Sequence, residues 1–79
     1  MAYRIDFTPH AARQIRKLEP AVQRRISTRI ESLAEDPRQM GVEKMTGAEL
    51  YRVRVGRDYR IVFEIHDRVM VIVIVKVGD

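Results

Sequence analysis

Four arginines crowd into the twelve residues Glu49–Arg60, a segment that otherwise reads as a β-hairpin. Side chains alternate between the faces of a strand, so Tyr51, Val53 and Val55 share one face while Arg52 and Arg54 project from the other. Gly56, Arg57 and Asp58 read as the turn, and Arg60 returns on the next strand beside that pair. Three guanidinium groups on one sheet face make a poor core and a good seat for phosphate, whose oxygens match their planar donor fork. Like charges side by side on a sheet repel, so the arrangement calls for an anion. The structural alternative is a solvated outer face on which the arginines pair with Glu49, Glu64 or Asp58.

A phosphodiester held by Arg52, Arg54 and Arg60 would find its charge stabilised as a pentacoordinate transition state develops. Guanidinium groups stay protonated in proteins, so they position and stabilise readily but make poor proton carriers. Lys44, Lys76 and Arg57 are the further cations expected near this face, each within reach of backbone phosphate or, on the bland reading, of solvent alone. The helical cluster Arg13, Arg16, Lys17, Arg24, Arg25 and Arg29 lacks aromatic interleaving for base stacking. It reads as a solvated face or as electrostatic attachment to a large nucleic acid. His10 and His66 have no evident orienting partner, and no Ser/His/Asp, Cys/His or phosphate-cradling glycine motif is present. Two distant histidines without thiols make no metal cluster, so neither metal nor cofactor is expected.

The elements that must position these groups follow from periodicity. Tyr3–Phe7 alternates as a first strand. Thr8-Pro9 opens a helix, with Thr8 as N-cap and Pro9 at the first helical position. Its apolar stripe is Ala12, Ile15 and Leu18. Glu19-Pro20 interrupts this helix and starts a second, whose stripe is Val22, Ile26, Ile30 and Leu33, and Asp36-Pro37 ends it. Residues 37–48 read as a connecting loop. Three strands then form a meander over Glu49–Val55, Asp58–His66 and Arg68–Val77. The run Val69–Val75 is apolar on both faces, so it must lie inside the sheet with the first strand covering its edge. The expected fold is α+β, in the order β-α-α-β-β-β: a helical hairpin on one face of a mainly antiparallel four-stranded sheet.

A chain of 79 residues is one domain, and one this small buries only about 60% of the surface its unfolded chain exposes. Its net charge is +4, and arginine supplies 12 of the 15 basic residues. Such a balance suits nucleic acid, an acidic protein, or each in turn. The N-terminus lacks an apolar signal-peptide core, and the longest aliphatic run is seven residues, far short of the roughly 20 needed to span a bilayer as a helix. With no cysteine, a cytoplasmic location is expected.

The element order, the pattern Tyr51-Arg52-Val53-Arg54-Val55-Gly56-x-x-Tyr59-Arg60 and the ending Val75-Lys76-Val77-Gly78-Asp79 resemble the RelE/ParE toxin superfamily, and within it the RelE branch. The resemblance covers essentially the whole chain. It implies the toxin of a type II toxin–antitoxin system, one that cuts mRNA in the ribosomal A site. The ribose 2′-hydroxyl would attack its own phosphate, leaving a cyclic phosphate and a 5′-hydroxyl. It maps catalytic roles onto Arg52, Arg54 and Arg60; Lys44, Arg57 and Lys76, from their expected places near the same face, are the candidate RNA-binding residues. A RelB-like antitoxin, acidic in its toxin-binding segment, is the implied partner, in a hetero-oligomer with no membrane attachment. Family members continue past the Val-Gly-x motif with an arginine and then a tyrosine, which are expected to serve as acid and stacking platform. Residues 1–79 are therefore expected to be a single toxin domain without that tail. Two further functions share the fold: a ParE-like inhibitor of DNA gyrase, and an antitoxin-binding co-repressor without chemistry of its own.

Overall fold

The computed structural model describes residues 2–79. In chain order the elements are β1 (Arg4–Phe7), α1 (Pro9–Arg16), α2 (Pro20–Glu35), β2 (Glu43–Lys44), β3 (Tyr51–Val55), β4 (Tyr59–His66) and β5 (Val71–Gly78). The strands form one sheet in the order β1-β5-β4-β3-β2. Pairing is antiparallel throughout except for β1 beside β5. The sheet thus has five strands where four were expected. The additional one is β2, a two-residue strand within the stretch read as loop.

The helix boundaries follow from local chemistry. The Thr8 hydroxyl accepts from the Ala11 N–H at 3.1 Å, which satisfies an otherwise orphaned donor at the start of α1. At the other end, the Gln23 side-chain amide donates to the carbonyls of Ile15 and Leu18, both at 2.9 Å. Gln23 thereby ties α2 to the end of α1. Pro20 occupies the first turn of α2, where its missing N–H has no helical partner to lose.

Ile26, Ile30 and Leu33 of α2 pack with Val53, Val55, Ile61, Phe63, Ile72, Ile74 and Val77 of the sheet in one core. From α1 it is Ala11, not the expected stripe, that is wholly buried; Ile15 and Leu18 are half-buried at the margin. α1 rests closely on β5, and a single methyl group fits that approach.

β5 lies between β1 and β4, as its two apolar faces require. It starts at Val71, later than the expected strand, because residues 67–70 turn, with Met70 at φ 54° and Val69 exposed. β1 pairs only as far as Ile74. Beyond that point α1 takes over: the Thr8 hydroxyl donates to the Val75 carbonyl at 3.1 Å, and the Gln14 side-chain Oε1 accepts from the Val77 N–H at 2.7 Å. These contacts close an edge that would otherwise stand unpaired.

A polar clasp joins three segments distant in sequence. Arg38 donates two hydrogen bonds to Asp67, at 3.0 and 2.9 Å, and the Tyr3 hydroxyl donates to the same carboxylate at 2.8 Å. The Arg38 guanidinium also lies 5.5 Å from the centre of the Tyr51 ring. The Arg38 bonds, then the Tyr3 bond, hold the Asp67 carboxyl down at about 2. Hydrogen bonding to Asp67 pushes the Tyr3 hydroxyl up in return.

Candidate nucleic-acid interface

The sheet face turned away from the helices carries the arginines, in rows set by strand register. Arg52 stands opposite Val62, which stands opposite Lys76; Glu43 flanks Arg52 on the other side. In the next row Arg54 stands directly opposite Arg60, which faces Gly78. Directly opposed residues on antiparallel strands sit about 5 Å apart, so two guanidinium groups meet here without choice. Among the described residues neither Arg54 nor Arg60 has a carboxylate partner. Of the three carboxylates weighed for a solvated face, Glu49 bridges Lys44 at 3.4 Å and Glu64 bonds His66 at 2.7 Å, while Asp58 forms no ion pair among the described residues.

The cations enclose a hollow of about 250 Å³ lined by Arg29, Gly41, Glu43, Arg52, Val53, Arg54 and Arg60. β2 pairs with Tyr51 and Arg52 alone, so β3 is open beyond them, and Arg29 reaches this opening from α2. The Arg29 Nε is buried without a partner. A second groove of about 740 Å³ continues around the edge, where Arg24, Arg25 and Arg29 of α2 face Arg54 and Gly56. The Arg25 guanidinium occupies the space that a side chain at position 56 would need, and Gly56 adopts φ 63°. The positive face is therefore one field running from the sheet over its edge onto α2, rather than a triad and a separate helical patch.

The structure brings Arg52, Arg54, Arg60 and Lys76 onto one face. Arg57 is exposed at the tip of the turn and lines neither hollow. Lys44 is placed elsewhere, contrary to expectation: it pairs with Tyr51, whose side of the sheet faces the helices, and its ammonium bridges Glu49. Its side was set by a strand that the sequence did not reveal. His66 does have an orienting carboxylate in Glu64, but six residues along β4 from Arg60, or about 20 Å, the pair cannot reach the same phosphate.

Two residues at the site escaped the sequence. Arg29 belongs to the helical cluster that reads as a solvated face or as electrostatic attachment to a nucleic acid, and not to the sheet-face triad. Glu43 lay in apparent loop, yet its carboxylate lines the cation hollow, 3.4 Å from the Arg52 Nε. Both partners are well exposed, so this pair holds loosely and a phosphate can displace it. Among the described residues Glu43 is the sole carboxylate lining the hollow, and a carboxylate, unlike a guanidinium, can accept a proton.

Comparison with known proteins bears on the family and the fold. The chain is 29% identical over 80 residues to the mRNA interferase toxin RelE of Escherichia coli K12, covering 99% of this chain and 83% of that protein. Its fold matches the toxin–antitoxin complex RelBE2 of Mycobacterium tuberculosis with a TM-score of 0.89 at 25% identity, covering 99% of this chain and 98% of that one. It matches the intact RelBE toxin–antitoxin complex of E. coli with a TM-score of 0.88 at 28% identity, covering 99% and 96%. The family described as the ParE toxin of type II toxin–antitoxin systems matches residues 5–79, nearly the whole chain, and the protein belongs to that family, within the RelE/ParE superfamily.

Proposed function

We propose that this toxin is an endoribonuclease that cuts mRNA on the ribosome. The observation that carries the reading is the opposed, acid-free pair Arg54 and Arg60 beside Arg52. A sheet gains nothing from such a pair, and a phosphodiester needs it. The name of the E. coli relative, an mRNA interferase, supports the same substrate. In this reaction the ribose 2′-oxygen forms a bond to the adjacent phosphorus, its proton leaves, and the bond to the 5′-oxygen breaks as that oxygen takes up a proton from water. The products are a 2′,3′-cyclic phosphate and a 5′-hydroxyl. Arg52, Arg54 and Arg60 stabilise the added charge on the phosphorane oxygens. Glu43 accepts the 2′-hydroxyl proton, since the arginines cannot. Lys76, and Arg57 at the turn tip, contact neighbouring phosphates.

The partner is a RelB-like antitoxin. The Mycobacterium and E. coli neighbours are solved as complexes with theirs, and an acidic segment complements a chain of net charge +4. Gyrase inhibition is the competing reading within the family, but it gives no reason for a phosphate seat on the sheet. Purified toxin added to a translating system and to a gyrase supercoiling assay separates the two. The expected result is fragmented mRNA with supercoiling intact. Inhibited supercoiling with intact mRNA would transfer the function to gyrase.

A further inference from the structure

The segment between α2 and β2 carries Glu43 into the cation hollow, yet little in β2 itself fixes where that carboxylate sits. β2 has two residues, both exposed, paired with Tyr51 and Arg52. A strand with no buried side chain has a weakly specified register. The ion pair between Glu43 and Arg52 is exposed and loose as well. The carboxylate's position is therefore set from outside the ladder.

Gln39 is placed to set it. Both N–H bonds of its side-chain amide are used on the end of α2: Nε2 donates to the Ser32 carbonyl at 3.0 Å and to the Asp36 carbonyl at 2.9 Å. A carbonyl has two lone pairs, so Ser32 takes this bond besides the helical one from the Asp36 N–H. The Ser32 hydroxyl donates to the Arg29 carbonyl at 2.7 Å and lies 3.3 Å from Gln39 Oε1. The main chain of Gln39 continues the bracket. Its N–H donates to the Asp36 carbonyl at 3.3 Å, and its carbonyl accepts from the Val42 N–H at 3.1 Å. Val42, one residue before Glu43, packs against the margin of the core. The same turn shapes the hollow. Gly41 adopts φ 96° and lines it, with the Arg29 guanidinium 3.2 Å from the point where a Cβ would stand. Gln39 thus connects three parts of the hollow's wall: Arg29 through Ser32, Gly41 through the turn, and Glu43 through Val42.

We propose that Gln39 is a positioning residue for RNA cleavage, holding the Glu43 carboxylate where it can take the 2′-hydroxyl proton. A misplacement of about 1 Å can cost on the order of 10² in rate. Gln39 borders the larger groove too, but both of its amide donors are engaged, so none is left for a phosphate. Its effect on the reaction passes through Glu43. The role rests on the proton transfer proposed above, which the test examines separately.

The test compares Gln39→Met, which keeps the side chain's length and drops its hydrogen bonds, with Glu43→Gln and with the double variant. Cleavage of ribosome-bound mRNA is timed under single-turnover conditions, well below the Tm of each protein. RNA affinity is measured by fluorescence anisotropy on a non-cleavable 2′-O-methyl strand. Gln39→Met should lower the cleavage rate about tenfold to 10²-fold. Affinity should stay within about twofold of the parent, since Arg52, Arg54 and Arg60 keep their phosphate contacts. Added to Glu43→Gln, the same change should alter the rate by less than about twofold, because no proton acceptor is left to misplace. Gln39→Asn, one methylene too short to span both carbonyls, should repeat these results and stands in if the methionine variant does not fold. An equal loss of rate in both backgrounds overturns the positioning role and leaves Gln39 a structural bracket. Undiminished cleavage by both single variants at Gln39 overturns it too, and RNA binding weakened in step with the rate would make Gln39 a contact instead. If Glu43→Gln cuts as fast as the parent, the proton acceptor itself is wrong, and the role of Gln39 falls with it.

Discussion

Replacing Arg60 by glutamine separates a catalytic surface from a structural one, because the two roles predict opposite signs for stability. Arg60 faces Arg54 directly across the β3–β4 ladder, and neither has an acid partner among the described residues. Cross-strand pairs are worth about 0.2–1 kcal/mol, with like charges on the unfavourable side. Glutamine keeps much of the side chain's length and removes the charge. The variant should therefore be as stable as the parent or more so, by up to about 1 kcal/mol, which for a domain this small raises Tm by roughly 4–8 °C. Activity should move the other way. Loss of one preorganised charge stabiliser lowers kcat about 10²–10³-fold. Loss of one phosphate contact should also flatten the salt dependence of single-stranded RNA binding by about 0.7 in log–log slope. The assays are thermal unfolding by circular dichroism and primer-extension mapping of cuts in ribosome-bound mRNA. A fall in Tm together with the fall in activity would mean that Arg60 holds the fold. Cleavage within about threefold of the parent, against the 10²-fold expected, would remove it from the site.

Two further perturbations probe the rest of the account. Glu43→Gln should slow cleavage while tightening RNA binding, since it removes a proton acceptor and a counter-ion of Arg52 together; tighter binding with undiminished cleavage would leave Glu43 a counter-ion alone. Asp67 is held down at about 2 against an ordinary 3.8, chiefly by Arg38 and then by Tyr3, so its contribution to stability is fully present above about pH 4 and lost as pH falls through 2. Asp67→Asn should accordingly lower Tm at neutral pH, with the two proteins converging near pH 2; a Tm difference that persists unchanged at pH 2 would show that the carboxylate's charge is not what matters. The Tyr3 hydroxyl is pushed up by the same clasp, so its share is present below pH 10 and disappears above its raised value.

Much of this architecture was legible because single-strand periodicity and proline chemistry are local. Thr8-Pro9 and Glu19-Pro20 mark helix starts by what their side chains and missing N–H groups can do, and both fall where expected. The alternation Tyr51–Val55 puts the arginines on the outer face whatever the sheet around them. A run apolar on both faces has to be interior, and β5 is. The illegible parts are those that depend on neighbours. Glu43–Lys44 is too short and too polar to show a period, so β2 was hidden, and with it the facing of Glu43 and Lys44. Arg29 belongs to the site because α2 is docked with that residue at the open edge of β3, and a helical wheel does not know where the edge is. The bulge at Val75 leaves no mark in a run of alternating valines and isoleucines, yet it shifts the register so that Lys76 pairs with Val62 on the arginine face.

The central claim is that the arginine seat promotes attack by the RNA's own 2′-hydroxyl. It is tested most directly on ribosomes carrying an mRNA with a single 2′-deoxy residue on the 5′ side of a mapped cut. The account predicts that the all-ribose message is cut there to a 2′,3′-cyclic phosphate and a 5′-hydroxyl, and that the deoxy message stays intact at that position. Equal cutting of both messages, or a 5′-phosphate on the product, would contradict it.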